Sequence, residues 1–149
     1  MTKKKAASKK RVRKKYCANA IIIRGRGYLF IEYLIEPRGI ALVGGKRKKG
    51  ESPLDCIKRE GWQETGTEFS VHRVLGIFDE PGLGSRDNCS STVFVVSAFG
   101  KLREEEGKTR IFPLTEKEAQ ERKNEFVFGH YQIFEYFLNG GGTVAKENV

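Results

Sequence analysis

Residues 44–67 read GGKRKKGESPLDCIKREGWQETGT, a glycine-rich turn that leads into one short helix with closely spaced acidic residues. Ser52 is suited to cap the helix and Pro53 to occupy its first position. Glu60 and Glu64 lie four residues apart, so their carboxylates share one face of the helix. On an arbitrary helix such a pair is ordinary solvated charge, but a preceding glycine turn favours a site for a hard divalent cation, which prefers oxygen ligands.

The apolar positions of this helix predict the face that it turns to the core. Leu54, Ile57 and Gly61 recur three and four residues apart and form a narrow stripe, with Gln63 on the same side as the two glutamates. Gly61 lowers helix propensity by about 1 kcal/mol relative to Ala, so we expect its missing side chain to permit close approach to a sheet.

The rest of the chain alternates between β-rich runs and short helical segments. Predicted strands cover residues 18–23, 28–35, 40–43, 69–78, 91–99 and 111–112, and the first two read as a hairpin. Further helices are predicted at residues 114–123 and 129–138. A chain of 149 residues is the usual size of one domain, so we expect an α/β fold with a single core.

The net charge of +9 belongs to the N-terminus. Of the 28 Lys and Arg residues nine lie in residues 1–15, which leaves 19 against 19 acidic residues. We expect residues 1–15 to be a disordered basic tail, which could make weak contacts with RNA or anionic surfaces. The alternative is a solubilising extension without a partner, which the absence of interleaved aromatic residues favours. The domain then spans residues 16–139, followed by a flexible C-terminal tail at 140–149.

Composition also predicts the compartment. No apolar run approaches the roughly 20 residues of a membrane span, and no apolar segment of a secretion signal follows the basic N-terminus. The three cysteines are far apart and lack a Cys-x-x-Cys spacing, so neither a disulfide framework nor a zinc site is indicated. Only two histidines are present, which excludes a multi-histidine metal cluster. We therefore expect a cytoplasmic protein.

The spacing of the opening stretch resembles the signature of the Nudix hydrolases, Gly-x5-Glu-x7-Arg-Glu-aliphatic-x-Glu-Glu-x-Gly-aliphatic. The matching residues are Gly45, Glu51, Arg59, Glu60, Glu64 and Gly66, and the departures are Gly61, Gln63 and Thr67. The resemblance implies the Nudix architecture, an α/β/α sandwich with a mixed sheet. It also implies a pyrophosphohydrolase that acts on phosphoanhydrides.

The resemblance further implies a set of roles. Mg²⁺, with Mn²⁺ as a substitute, would be bound by Glu60, Glu64 and the Gly44 carbonyl, while Glu51 fixes the loop and Arg59 orients carboxylates. Gly45 and Gly66 would shape the motif, and Glu60, Glu64 and Arg59 would be the catalytic residues.

Gln63 stands where the family usually has another glutamate. Its amide oxygen can still bind a metal ion, but it carries no negative charge and cannot act as a base. We expect a weakened accessory metal site, and an inactive protein is the alternative.

The general base is expected in the acidic loop at residues 104–106, with Glu106 preferred for its neighbour Gly107; a solvated loop tip is the alternative. The four basic residues 46–49 either contact phosphate or form a solvated loop, which is favoured because these positions vary in the family. Phe78, Tyr28 or Phe126 could stack on a base, although each is also suited to the core.

Segments outside the motif resemble the ADP-ribose and nucleotide-sugar branch: Pro81, Arg86-Asp87 and Phe128-Gly129-His130. They imply hydrolysis of nucleoside diphosphate sugars to a nucleoside monophosphate and a sugar phosphate, with Arg86 and Phe78 in contact with substrate. The alternatives are a nucleoside triphosphate pyrophosphohydrolase, or a catalytically weakened nucleotide- or RNA-binding module. A homodimer is expected from the resemblance and the β-rich ends.

Overall fold

Seven strands form one mixed sheet in the part of the chain that the computed structural model describes, residues 15–80 and 88–141. The strands are β1 (Lys15–Arg24), β2 (Gly27–Tyr33), β3 (Gly39–Ala41), β4 (Val43–Lys46), β5 (Glu68–Glu80), β6 (Cys89–Phe99) and β7 (Thr109–Leu114). The helices are α1 (Pro53–Thr65), α2 (Glu116–Glu121) and α3 (His130–Leu138), with a 3-10 turn at Lys123–Glu125. None of these helices is long and apolar enough to span a membrane.

Strand β1 is the centre of the sheet. The main order is β3-β2-β1-β6-β5, with β4 also paired to β1 and β7 to β2. β1 runs antiparallel to β2 and β4 and parallel to β6. Residues 17–22 of β1 are all buried, which explains why the strand reads as a continuous apolar run rather than an alternating one. The predicted hairpin of β1 and β2 is confirmed.

Helices cover both faces of the sheet. One core cluster contains Cys56 and Ile57 of α1, and the other contains Ala119 of α2 and Phe134 of α3. The predicted α/β/α sandwich with a mixed sheet is therefore confirmed.

Local chemistry sets the ends of α1 as the sequence predicts. The Ser52 side chain accepts a hydrogen bond from the Asp55 N–H at 3.0 Å, and Pro53 is the first helical residue. Gly66 ends the helix in the left-handed conformation, with φ 74°.

The predicted core stripe of α1 is wrong at Leu54, whose side chain is 39% exposed. The buried positions are instead Cys56, Ile57, Gly61, Glu64 and Thr65. The buried face is rotated toward Glu64, so one carboxylate of the pair lies on the side of the helix that meets the sheet.

Gly61 is where α1 approaches the sheet most closely. A Cβ there would lie 2.4 Å from the ring of Phe69 in β5. Ala would raise helix propensity by about 1 kcal/mol, whereas overpacking against a buried ring costs about 1–3 kcal/mol. We expect Gly61→Ala to lower the melting temperature, measured by circular dichroism. Phe69→Leu should remove part of the loss in the double variant, and additive losses would contradict the contact.

The segment before α1 differs from the prediction of one strand at residues 40–43. It forms two short strands, β3 and β4, and Gly44 and Gly45 lie in β4 rather than in a loop. The reason is pairing with β1, in which Gly44 faces Asn19 and Gly45 faces Ala18. The predicted tails fall largely outside the described residues, as do Pro81 and Arg86.

Candidate active site

Two glutamates of α1 face the glycine pair of β4. The Gly44 N–H donates to Glu64 Oε1 at 3.0 Å, and the Glu64 side chain is buried. A Cβ on Gly45 would lie 2.5 Å from Glu60 Oε2, so only glycine leaves room for that carboxylate. The strand and the helix thereby bring Glu60, Glu64 and the Gly44 backbone together.

Arg59 clamps the basic loop to α1. Its Nε and Nη2 donate to the two carboxylate oxygens of Glu51 at 2.8 and 2.9 Å, a bidentate pair. Its Nη1 donates to Glu60 Oε2 at 3.0 Å, and Nη2 to the Lys46 carbonyl at 3.2 Å. Because one guanidinium joins loop, strand end and helix, it fixes the orientation of Glu60 relative to β4.

The electrostatics of these carboxylates differ. Hydrogen bonds from Arg59 lower the pKa of Glu51 to about 2. Burial raises the pKa of Glu60, and burial together with the Glu60 charge raises the pKa of Glu64 well above its usual range. Without a cation, burial and mutual repulsion disfavour the ionised forms of Glu60 and Glu64. A bound cation would stabilise those ionised forms.

The donor set suits a hard divalent cation. The described residues contain no group of three or more His, Cys, Asp or Glu side chains that could hold a metal ion. The available oxygens are those of Glu60, Glu64 and the Gly44 backbone. This incomplete set fits Mg²⁺, which usually keeps several waters and takes substrate phosphate oxygens as further ligands.

The raised pKa values predict a pH dependence of the metal-free protein. In the folded state Glu60 and Glu64 keep their protons above pH 4.5, the ordinary carboxyl value, so the folded form binds more protons than the unfolded chain. Their contribution to stability is therefore present below that pH and is lost as the pH rises through the folded values. In a chelator, we expect the free energy of unfolding from urea titrations to be lower at pH 8 than at pH 5. Glu64→Gln should flatten this slope, and an unchanged slope would contradict the assignment.

The remaining predicted site residues are Gln63 and the acidic loop at residues 104–106. Gln63 is exposed, and its Oε1 accepts from Arg59 Nη1 at 3.3 Å. In the acidic loop, Glu104 accepts from the Ile111 N–H at 2.9 Å. Glu105, rather than the preferred Glu106, is the acid whose charge raises the pKa values of both Glu60 and Glu64.

The aromatic residues proposed for base stacking belong to the opposite face. Phe78, Tyr28 and Phe126 pack against the core cluster under α3, and Phe78 lies 5.5 Å from Tyr136, centroid to centroid. Phe78 is therefore part of that packed layer and not of the wall beside Glu60. Arg86 lies outside the described residues.

A groove of about 290 Å³ reaches Gly45, the glycine that faces Glu60, and was not predicted from the sequence. It is lined by Tyr33, Ile35, Glu36, Pro37, Gly45, Lys46, Lys108 and Phe128. Tyr33 and Phe128 meet edge to face with centroids 5.6 Å apart, and Ile35 is 52% exposed. Phe128 has a φ of 63°, unusual for a residue with a side chain, and this was not foreseeable from its sequence context.

A buried polar network behind β4 also escaped prediction. Asn19 Nδ2 donates to Glu80 Oε2 at 2.7 Å and lies 2.6 Å from Ser91 Oγ. The Leu42 N–H donates to His130 Nδ1 at 2.9 Å, so the proton of a neutral ring is on Nε2, 3.0 Å from Glu80 Oε2. A lone asparagine within the apolar run of β1 was the available signal. The network positions β4, because Asn19 pairs with Gly44 and its side chain occupies the position that a Cβ on Gly44 would take.

A carboxylate pair on a clamped loop and helix, beside an open groove with two lysines, suits a hydrolase that acts on phosphoanhydrides with the help of a divalent cation. The chain belongs to the Nudix family, since the family model for the NUDIX domain matches residues 13–135. It is a Nudix pyrophosphohydrolase.

Solved structures share this fold. A NUDIX hydrolase from Nitrosomonas europaea aligns with a TM-score of 0.76 at 18% identity, covering 87% of this chain and 91% of that one. A bifunctional NMN adenylyltransferase/ADP ribose pyrophosphatase from Francisella tularensis, complexed with AMP and a Mn ion, gives 0.73 at 17%, covering 93% and 45%. A UDP-X diphosphatase gives 0.66 at 19%, covering 94% and 72%. At these identities the likeness shows the fold alone.

Proposed function

We propose that the chain hydrolyses the diphosphate linkage of nucleoside diphosphate sugars, with ADP-ribose as the first substrate to test and Mg²⁺ as the metal ion. The products are a nucleoside monophosphate and a sugar phosphate. The observation that carries this proposal is the groove at Gly45, which adjoins Glu60. Its apolar and aromatic wall suits a nucleobase, and Lys46 and Lys108 suit phosphates.

Each residue of the site has a part in this reaction. Glu60, Glu64 and the Gly44 carbonyl would hold the cation, and the chemistry it would supply there is neutralisation of phosphate charge and a lower pKa of a nearby water. Arg59 keeps the Glu60 carboxylate aimed at β4. A general base would come from the 104–106 loop, in which the Glu105 charge is close enough to raise the pKa values of both helix carboxylates.

Two structural relatives support the substrate class. The Francisella tularensis protein is named as an ADP ribose pyrophosphatase and its structure contains AMP and Mn, and another relative is named as a UDP-X diphosphatase. Both names, ADP ribose pyrophosphatase and UDP-X diphosphatase, describe the substrate class proposed for this chain.

Product analysis tests the proposal. The purified protein is incubated with Mg²⁺ and ADP-ribose, UDP-glucose or a nucleoside triphosphate, and products are separated by ion-exchange chromatography. We expect AMP and ribose phosphate from ADP-ribose. Release of pyrophosphate from triphosphates alone would redirect the assignment to a triphosphate pyrophosphohydrolase, and no turnover of any substrate would refute hydrolysis of this class.

Gln63 provides a test of the metal requirement. Because Gln63 contacts Arg59 from the exposed side of α1, Gln63→Glu adds a negative charge beside the pair without repacking the core. We expect the Mg²⁺ concentration for half-maximal activity to fall severalfold. Gln63→Ala is the matched control, and an equal fall in that variant would exclude the added charge as the cause.

We also propose that the protein is a homodimer in the cytoplasm. Its basic tail would make weak contacts with RNA or anionic surfaces. The three cysteines are buried thiols, which suits a reducing compartment. Light scattering coupled to size exclusion measures the mass directly, and a monomer at micromolar concentration would remove the dimer from the proposal.

A further inference from the structure

A second concave site lies at the end of β4, where the chain continues from Lys46 to Arg47. It is a pocket of about 420 Å³ lined by Lys15, Tyr16, Arg47, Lys48, Lys49 and Gly50. Four of these six residues are basic, and the Tyr16 side chain is 54% exposed. We call it the basic pocket.

The backbone fixes the aromatic wall of the basic pocket. The Arg47 N–H donates to the Tyr16 carbonyl at 2.8 Å, and Arg47 Nε donates to the Glu51 carbonyl at 2.9 Å. The Arg47 guanidinium carbon lies 5.9 Å from the centroid of the Tyr16 ring. The ring and the guanidinium are thus positioned together, while about half of the Tyr16 side chain is accessible to solvent.

The positive charge of the basic pocket is not matched by the acid within the same loop. Glu51 is engaged by the bidentate hydrogen bonds of Arg59, which balance its charge. Lys48 and Lys49 are exposed at the rim. The Lys48 and Lys49 side chains are therefore accessible to an anion from solution.

The basic pocket is separate from the carboxylate pair. Gly44 pairs with Asn19, Lys46 pairs with Cys17, and Arg47 follows. Three residues of extended chain separate Gly44 from Arg47, roughly 10 Å at about 3.3 Å per residue. The lining of the basic pocket includes none of Gly44, Glu60 and Glu64.

We propose that the basic pocket binds single-stranded nucleic acid, with phosphates on its lysines and one base stacked on Tyr16. Cationic grooves that carry an exposed aromatic ring are the usual platform for such strands. Lys15 lines the pocket and is the last of the nine basic residues in positions 1–15, so the sequence continues the positive charge beyond the pocket. This partner goes beyond the hydrolase activity and does not depend on it.

Fluorescence anisotropy with labelled 12-nucleotide oligouridylate and oligothymidylate, in a chelator and with the full chain, tests the proposal. We expect Tyr16→Ala to weaken binding about tenfold. The Lys48→Gln/Lys49→Gln double variant should reduce the slope of log affinity against log salt by about 1.4, at roughly 0.7 per phosphate contact. The matched control is Lys117→Gln/Lys123→Gln, which removes the same charge on the α3 side of the sheet and should leave the slope nearly unchanged.

Further binding measurements distinguish RNA from DNA and the basic pocket from the N-terminal tail. Tighter binding of one oligonucleotide identifies RNA or DNA as the ligand, and either supports the site. Deletion of residues 2–14 should weaken binding while the tenfold effect of Tyr16→Ala persists. The proposal is overturned if that effect vanishes, if the control double variant loses as much as the pocket variant, or if inorganic tripolyphosphate displaces the strand equally well from wild type and Tyr16→Ala.

Discussion

Glu64→Gln is expected to lower kcat/KM by roughly 10³-fold while the protein stays folded. Removing one carboxylate from a divalent cation site forfeits several kcal/mol of transition-state charge stabilisation, and each 1.36 kcal/mol is tenfold in rate. Stability should not suffer, because burial already disfavours the ionised form of Glu64 and a glutamine oxygen can still accept the Gly44 N–H. The measurements are steady-state hydrolysis of ADP-ribose and thermal unfolding in a chelator.

Glu68→Gln is the matched control, since Glu68 is an exposed glutamate four residues away at the start of β5. It makes the same change of charge and should retain activity. If Glu64→Gln kept near-normal turnover, the metal site would have to be assigned elsewhere in the chain.

Gly45→Ala is expected to reduce kcat by about 10²-fold with a small change in melting temperature. The added methyl would occupy space 2.5 Å from Glu60 Oε2, so the carboxylate must move. A shift of about 1 Å at a catalytic group is enough for a loss of that size. The relevant neighbour is the end of one side chain rather than the packed core, so the fold can absorb the change.

A double-variant cycle identifies the cause. In a Glu60→Asp background the carboxylate is shorter and leaves room for the methyl, so adding Gly45→Ala should cost much less than in wild type. Equal losses in both backgrounds, measured as kcat, would mean that Gly45 acts through the backbone of β4 and not through Glu60.

The sequence predicts best what is local. The cap at Ser52, the stop at Gly66 and the spacing of Glu60 and Glu64 depend on contacts within a few residues, and the structure confirms the cap and the stop. Leu54 shows where local reasoning fails, because apolar spacing does not determine which face meets the sheet. The buried face of α1 is the one on which Gly61 packs against the ring of Phe69.

The buried network and the groove beside the site could not be predicted from the sequence, because they form from residues far apart in the chain. Asn19 meets Glu80 and Ser91 across 61 and 72 positions, and Leu42 meets His130 across 88. No periodicity signals such pairings. The groove likewise depends on a contact between Tyr33 and Phe128, which come from β2 and the segment before α3.

The buried network behind β4 has a consequence for how this sequence can drift. Loss of one member removes a hydrogen bond or ion pair from buried groups of the others, which costs about 1–3 kcal/mol, whereas joint replacement by apolar side chains of similar shape is nearly neutral. Substitutions at Asn19, Glu80 and His130 are therefore expected to be epistatic, so that a change at one of them costs less when the others have also changed. The position of β4 is subject to the same coupling, because Gly44 of β4 pairs with Asn19 and Asn19 is held by this network.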